Sequence, residues 1–154
     1  MRVVLQRVSR ASVTVDGQVV GAIDQGFLIL IAVRNGDTAA EAKWLAEKIA
    51  VLRVFADGED KFNRSLLDIG GGALVVSQFT LYGNVIGQRR PSFVEAAPPA
   101  LAAPLIEQFV SFLRQAGVQR VETGIFGARM LVELANDGPV TLILEREALR
   151  STQA

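Results

Sequence analysis

The sequence predicts a single α+β domain: a mostly antiparallel or mixed β-sheet carrying two main helices. Three observations support this. The chain has 154 residues, the length of one ordinary domain. Half of them are hydrophobic and 21% are charged, the balance of a protein with one core. Its β-rich runs are interrupted by helical periodicity at only two places, and this lack of regular alternation argues against a Rossmann-type arrangement.

Val3 to Val8 and Ser12 to Val15 read as two short strands. Asp16-Gly17 then supplies a two-residue hairpin turn leading to Val19-Val20, because both residues tolerate positive φ. Phe27 to Val33 is an uninterrupted apolar run, which suits a strand covered on both faces. Thr38-Ala39-Ala40-Glu41 is a capping-box pattern, and Leu45, Ile49 and Leu52 follow on one helical face. Asp57 to Asp60 marks a turn, while 63–68 fits no single element. Gly70-Gly71-Gly72 leads into a strand and lacks a following Lys-Ser/Thr, so it reads as a turn and not as a phosphate loop. Ala73 to Leu81 is a further buried strand. Punctuated by Gly83, Gly87, Pro91, Pro98 and Pro99, residues 83–100 look irregular. A second helix buries Leu105, Ile106, Phe109, Phe112, Leu113 and Ala116, ends at Gly117, and takes Pro104 in its first turn. Met130 to Leu134 and Val140 to Leu144 read as two strands joined by a turn at Asn136-Asp137-Gly138-Pro139. Residues 1–147 are thus expected to form the domain and 148–154 a loose tail.

Composition narrows the chemistry. The chain contains no histidine and no cysteine. Ser-His-Asp and Cys-His nucleophilic systems, and zinc sites built on those residues, are excluded. A side-chain base would have to be Asp, Glu, Lys or the single tyrosine, Tyr82. No clustered DxD pattern suggests an all-oxygen magnesium site, so neither metal nor cofactor is expected. Sixteen acidic and sixteen basic residues balance, which argues against a general nucleic-acid coat while permitting a local basic patch. Only three of the basic residues are lysine (Lys43, Lys48, Lys61). Arg favours planar contacts with phosphate, although genomic composition produces the same bias. No apolar run approaches the roughly 18 residues of a membrane span, the opening segment lacks the apolar region of a secretory signal, and the absence of cysteine gives no sign of an oxidising compartment, so the cytoplasm is the default expectation.

Two segments stand out. Ser77-Gln78-Phe79-Thr80-Leu81 ends an apolar run with polar side chains that an interior strand should not carry unpartnered. It reads either as a strand leaving the core or as a small pocket in which hydroxyls and a backbone N–H hold a carbonyl or sugar hydroxyl. Asn136-Asp137-Gly138-Pro139-Val140-Thr141, taken alone, is a turn, and sequence does not reveal the Gly-Pro isomer.

Taken together, these segments resemble the SQFTL and NxGPVT motifs of the D-aminoacyl-tRNA deacylase (D-tyrosyl-tRNA deacylase) family, which removes D-amino acids mischarged onto tRNA. The similarity runs over almost the whole chain, including Met1 to Val8, Asn63 to Asp68, Arg90-Pro91-Ser92-Phe93 and Val121-Glu122-Thr123-Gly124. It implies a homodimer whose partner is aminoacyl-tRNA. Ser77, Gln78, Phe79 and Thr80 would line the pocket for the 3′-terminal adenosine and its esterified amino acid. Gly138-Pro139, as a cis peptide from the other subunit, would aim its carbonyl oxygens at the α-carbon and exclude L side chains. Glycine would enter, making glycyl-tRNA(Ala) a further expected substrate. The terminal ribose 2′-OH would assist hydrolysis, while the Phe79 N–H and the Ser77 and Thr80 hydroxyls position the ester; Thr80 as nucleophile is the alternative. Arg7 lies in a matching segment and either braces the Gly138-Pro139 loop, contacts RNA or forms a surface ion pair. Arg89 and Arg90 are expected to face tRNA phosphates or to be solvated charges. One departure is Tyr82-Gly83-Asn84-Val85-Ile86-Gly87-Gln88, where the family carries a charged, lysine-bearing loop. The competing readings are a non-catalytic module that binds an RNA 3′ end and a structural dimer.

Overall fold

The computed structural model describes residues 1–148, so all but the first residue of the expected 148–154 tail lies outside the described residues. The N-terminal half of the expected pattern becomes one long strand, β1 (Arg2–Val15), without a break between Val8 and Ser12. Asp16 and Gly17 both take positive φ (49° and 78°), and this turn reverses the chain into β2 (Gln18–Ile23). β3 (Gly26–Ala32) continues in the same direction, so β2 and β3 both run antiparallel to β1, against its second and first halves respectively.

α1 (Ala39–Val51) begins with the full capping box. Thr38 accepts from backbone N–H, while the Glu41 carboxylate accepts from the Thr38 N–H and hydroxyl at 2.7 Å. Burial opposes ionisation of Glu41, but these hydrogen bonds outweigh it and lower its pKa. A small antiparallel hairpin follows, β4 (Phe55–Ala56) and β5 (Phe62–Arg64). Next comes a one-turn helix, α2 (Leu66–Ile69), whose reciprocal cap between Ser65 and Asp68 resolves the ambiguous 63–68 segment. β6 (Gly72–Ser77) then runs parallel to β3, and β7 (Val121–Thr123) parallel to β6. The sheet is therefore mixed.

α3 (Pro99–Gln115) lies between β6 and β7 in sequence and starts five residues before Pro104. Pro99 takes the first helical position, where a missing N–H costs nothing, and Pro104 sits in the second turn instead of the first. The last strand, β8 (Leu131–Glu145), pairs antiparallel with β1 from Arg2 to Thr14. No chain reversal occurs at Asn136–Pro139. Instead, Gln6 faces Thr141 and Val8 faces Asn136, so two steps on β1 oppose five on β8 and Asp137-Gly138-Pro139 is extruded as a bulge.

Side chains on the two faces of the sheet separate into two cores. Val3, Leu5, Phe27, Ile29 and Ile31 pack against Leu45 and Ile49 of α1 and Phe109 and Leu113 of α3. The opposite face buries Val8, Ala11, Val13, Leu28, Leu74 and Val76 in the curl of β1 and β2. β3 and β6 are thus covered on both faces, as their unbroken apolar sequence requires. β8 has no fully buried residue in its 15, exposes Leu131 (62%) and Ile143 (71%), and pairs only with β1 among the described strands. No helix among the described residues is long and apolar enough to cross a membrane.

Candidate active site

Ser77 is the last residue of β6, and the strand ends there. Gln78 donates its N–H to the Ile31 carbonyl at 2.8 Å, the last tie to β3. Phe79–Tyr82 then coil into a 3₁₀ turn, so Phe79, Thr80 and Leu81 are not strand residues as the sequence suggested. The cause is local competition. Leu81 and Gly83 donate to the carbonyls of Gln78 and Thr80, at 3.1 and 2.9 Å, once β7 is too short to offer a ladder beyond Thr123. At the head of the turn, the N–H groups of Phe79 and Thr80 have no backbone acceptor among the described residues. The Gln78 side chain donates to the Thr80 hydroxyl. Ser77 and Gln78 are half-buried, while Phe79 and Thr80 are exposed.

Beside this turn lies a cleft of about 400 Å³ between the ends of β3 and β6 and the start of α3. Its floor is Ser77, Gln78 and Phe79; its walls include Ala97, Pro98, Ala102, Ile106 and Phe126. Among the described residues, no titratable side chain lines it. The volume suits a small-molecule-sized group, held by apolar walls and oriented by a few polar atoms. Phe79 and Phe93 meet edge to face at 5.0 Å and form one lip. A second hollow of about 310 Å³ shares Ser77, Ile106 and Phe126 with the first and adds Glu107, Arg114 and Thr123. The wall residues were missed in the sequence because apolar residues in a helix or turn read as core. Phe126 offered the one available signal, an aromatic between Gly124 and Gly127 in a segment that the two glycines keep from reading as a strand. Among the described residues, no group of His, Cys, Asp or Glu is arranged to hold a metal ion.

Gly138 and Pro139 lie elsewhere. Their peptide is cis, both residues are exposed, and Gly138 has φ 131°. A Cβ there would stand 2.8 Å from the Val140 side chain and 3.0 Å from Arg7 Nη2, so the position is closed to other residues on conformation and on space. Asn136 closes the bulge, accepting from the Val140 N–H and donating to the Thr141 hydroxyl. Arg7 donates Nε to the Asp137 carbonyl at 3.0 Å and Nη1 to the Val54 carbonyl at 2.8 Å. It forms no ion pair among the described residues.

Sheet register measures the separation. Val3, Ile31 and Ser77 form one row across the sheet; Val8, Gly26 and Gly72 form another, five residues away on every strand. At about 3.3–3.4 Å per residue the two rows are about 17 Å apart. The extruded loop stands at the second row and the cleft at the first. Within one chain the sequence-predicted residues therefore fall into two groups, Ser77–Thr80 and Arg7 with Gly138-Pro139, at rows that mark the two ends of β3 and β6. Arg89 and Arg90 are exposed in the 83–92 loop, whose ends are joined by Asn84 and Ser92 and whose neighbour Phe93 borders the cleft.

Comparison with known proteins agrees over nearly the full chain. The family described as D-Tyr-tRNA(Tyr) deacylase matches residues 4–145. A D-aminoacyl-tRNA deacylase of Thermomicrobium roseum is 62% identical over 150 residues, covering 97% of each chain. One of Thermus aquaticus is 59% identical over 145 residues, 94% of this chain and 95% of that one. Among solved structures, a protein titled c-Myc DNA Unwinding Element Binding Protein superposes with a TM-score of 0.90 at 40% identity, covering 96% of this chain and all of its own. Matched by sequence from one end of its sheet to the other, this chain belongs to the D-Tyr-tRNA(Tyr) deacylase family.

Proposed function

We propose that the protein hydrolyses the ester bond of D-aminoacyl-tRNA, and of glycyl-tRNA(Ala), to free amino acid and tRNA, and that each active site is built from two copies of the chain. The observation that carries this reading is the separation of the two motifs. A loop about 17 Å from the cleft does not meet a substrate bound there, whereas the same loop of a second, symmetry-related copy can. The exposed apolar residues and open edge of β8, next to that loop, give the second copy a surface to cover.

In this arrangement the 3′-terminal adenosine occupies the apolar cleft. The Phe79 N–H, with the Ser77 and Thr80 hydroxyls, binds the ester carbonyl oxygen and stabilises the charge it gains as water attacks. The ribose 2′-OH of the substrate assists that attack, so no side-chain base is required, in keeping with a cleft that none lines among the described residues. Gly138-Pro139 of the partner copy presents backbone oxygens to the α-carbon. An L side chain collides with them, a D side chain points away, and glycine has nothing to exclude. Arg89 and Arg90 meet tRNA phosphates beside the cleft.

The test is to mix the protein with matched D- and L-aminoacyl-tRNA and follow ester loss. Selective loss of the D-ester is expected. Binding without cleavage would leave a module that holds RNA 3′ ends, and indifference to chirality would overturn the reading. Thr80→Ala should slow turnover without abolishing it; complete loss in a folded variant that still binds tRNA would make Thr80 the nucleophile.

A further inference from the structure

Arg7 is held on three sides, and only one of the three belongs to the loop it supports. Its Nε reaches the Asp137 carbonyl, its Nη1 reaches the Val54 carbonyl, and its guanidinium carbon lies 5.4 Å from the centroid of the Phe62 ring. Val54 and Phe62 come from the β4–β5 hairpin and the residue leading into it. That hairpin is framed by its own polar contacts. Asp57 accepts from the N–H groups of Glu59 and Lys61 and from the Asn63 side chain, at 2.8, 3.0 and 2.6 Å. Arg53 donates to the backbone and side-chain oxygens of Asn63 at 3.0 and 2.8 Å. Phe62 is thereby fixed between two anchored neighbours while 54% of it remains exposed, so it is no core residue.

Two carbonyl contacts fix the guanidinium's nitrogens but leave it free to tilt about the line joining them. The face of an aromatic ring removes that freedom, since a cation over a ring is held within about 6 Å of its centroid. We infer that the β4–β5 hairpin, through Phe62 and the Val54 carbonyl, is the positioning element for the Gly138-Pro139 loop, and that Phe62 sets how strictly L-aminoacyl esters are rejected. This rests on the function proposed above. Phe62 acts through Arg7 and not on the substrate; it is a positioning residue.

The experiment compares single-turnover cleavage of D- and L-aminoacyl-tRNA by the wild-type protein, Phe62→Leu, Phe62→Tyr, Arg53→Ala and Arg7→Lys. An exposed cation–ring contact predicts that Phe62→Leu raises L-ester cleavage relative to D by about two- to fivefold. Phe62→Tyr keeps the ring face and should restore the wild-type ratio. Arg53→Ala touches neither Arg7 nor the loop; by loosening the hairpin frame it should shift the ratio in the same direction as Phe62→Leu. An unchanged ratio in both Phe62→Leu and Arg53→Ala, with Arg7→Lys eroding it, would overturn the role of the hairpin and leave the proposed function standing. A Phe62→Tyr ratio as disturbed as that of Phe62→Leu would also overturn it. If the wild-type protein does not distinguish D from L, the proposed function falls and this inference falls with it.

Discussion

Tyr82, the one phenol that composition offered as a base, is buried beneath the guanidinium of Arg2, which lies 4.7 Å from its ring centroid. Burial pushes its pKa up; the nearby Asp37 adds to the shift and Arg2 opposes it. A raised phenol stays protonated throughout the neutral range and cannot accept a proton there. Tyr82→Phe should therefore keep turnover within about twofold, where loss of a general base costs about a hundredfold or more. Kinetics on the purified variant decide it. Asp57 illustrates the opposite shift. The Asn63 side chain, then the Lys61 and Glu59 amides, hold its pKa below the ordinary value of about 3.9. Its hold on the hairpin is thus fully present above that ordinary value and disappears as pH falls through the lowered one. An NMR titration should place the Asp57 midpoint below about 3.9; a midpoint at or above it would mean that the three hydrogen bonds do not persist in solution.

Pro104 governs the behaviour of α3. At the sixth helical position it removes the hydrogen bond that its N–H would give to the Ala100 carbonyl, and its exposed ring packs little in return. Pro104→Ala should stabilise the protein by on the order of 1–3 kcal/mol, read as a higher denaturation midpoint. The helix itself was legible because its apolar spacing is strong, but its start was not, since prolines at 98, 99 and 104 give the same local signal. The same limit applies to the site. The polar run Ser77–Thr80 stood out against its apolar strand, yet whether it continued as strand or coiled depended on how far β7 extends, a distant fact. Asn136–Pro139 carries turn chemistry whether the chain reverses or bulges, and only the continuous partner β1 decides between them. Phe62 gave no signal at all, because an aromatic in a three-residue strand looks like a minor core residue.

At the scale of the molecule, a site shared between copies makes a sharp quantitative claim. A protein carrying Ser77→Ala and Thr80→Ala keeps an intact loop, and one carrying Gly138→Ala keeps an intact cleft. Mixed so that subunits exchange freely, half the dimers hold one of each, and in those one of the two sites is whole. About a quarter of all sites in the mixture should then be whole, so its preference for D- over L-ester, multiplied by its D-ester rate, should exceed that of either variant measured alone. Recovery that never exceeds the separate activities would place both motifs in one chain's site. The same geometry exposes the protein to a different hazard. β8 is long, bears exposed aliphatic side chains and has an outer edge unpaired among the described residues, the features that allow a strand to recruit another chain indiscriminately. In the proposed dimer, a substitution that loosens the pairing of copies would therefore show first as aggregation of the separated chains, before any change in the rate at the sites that remain.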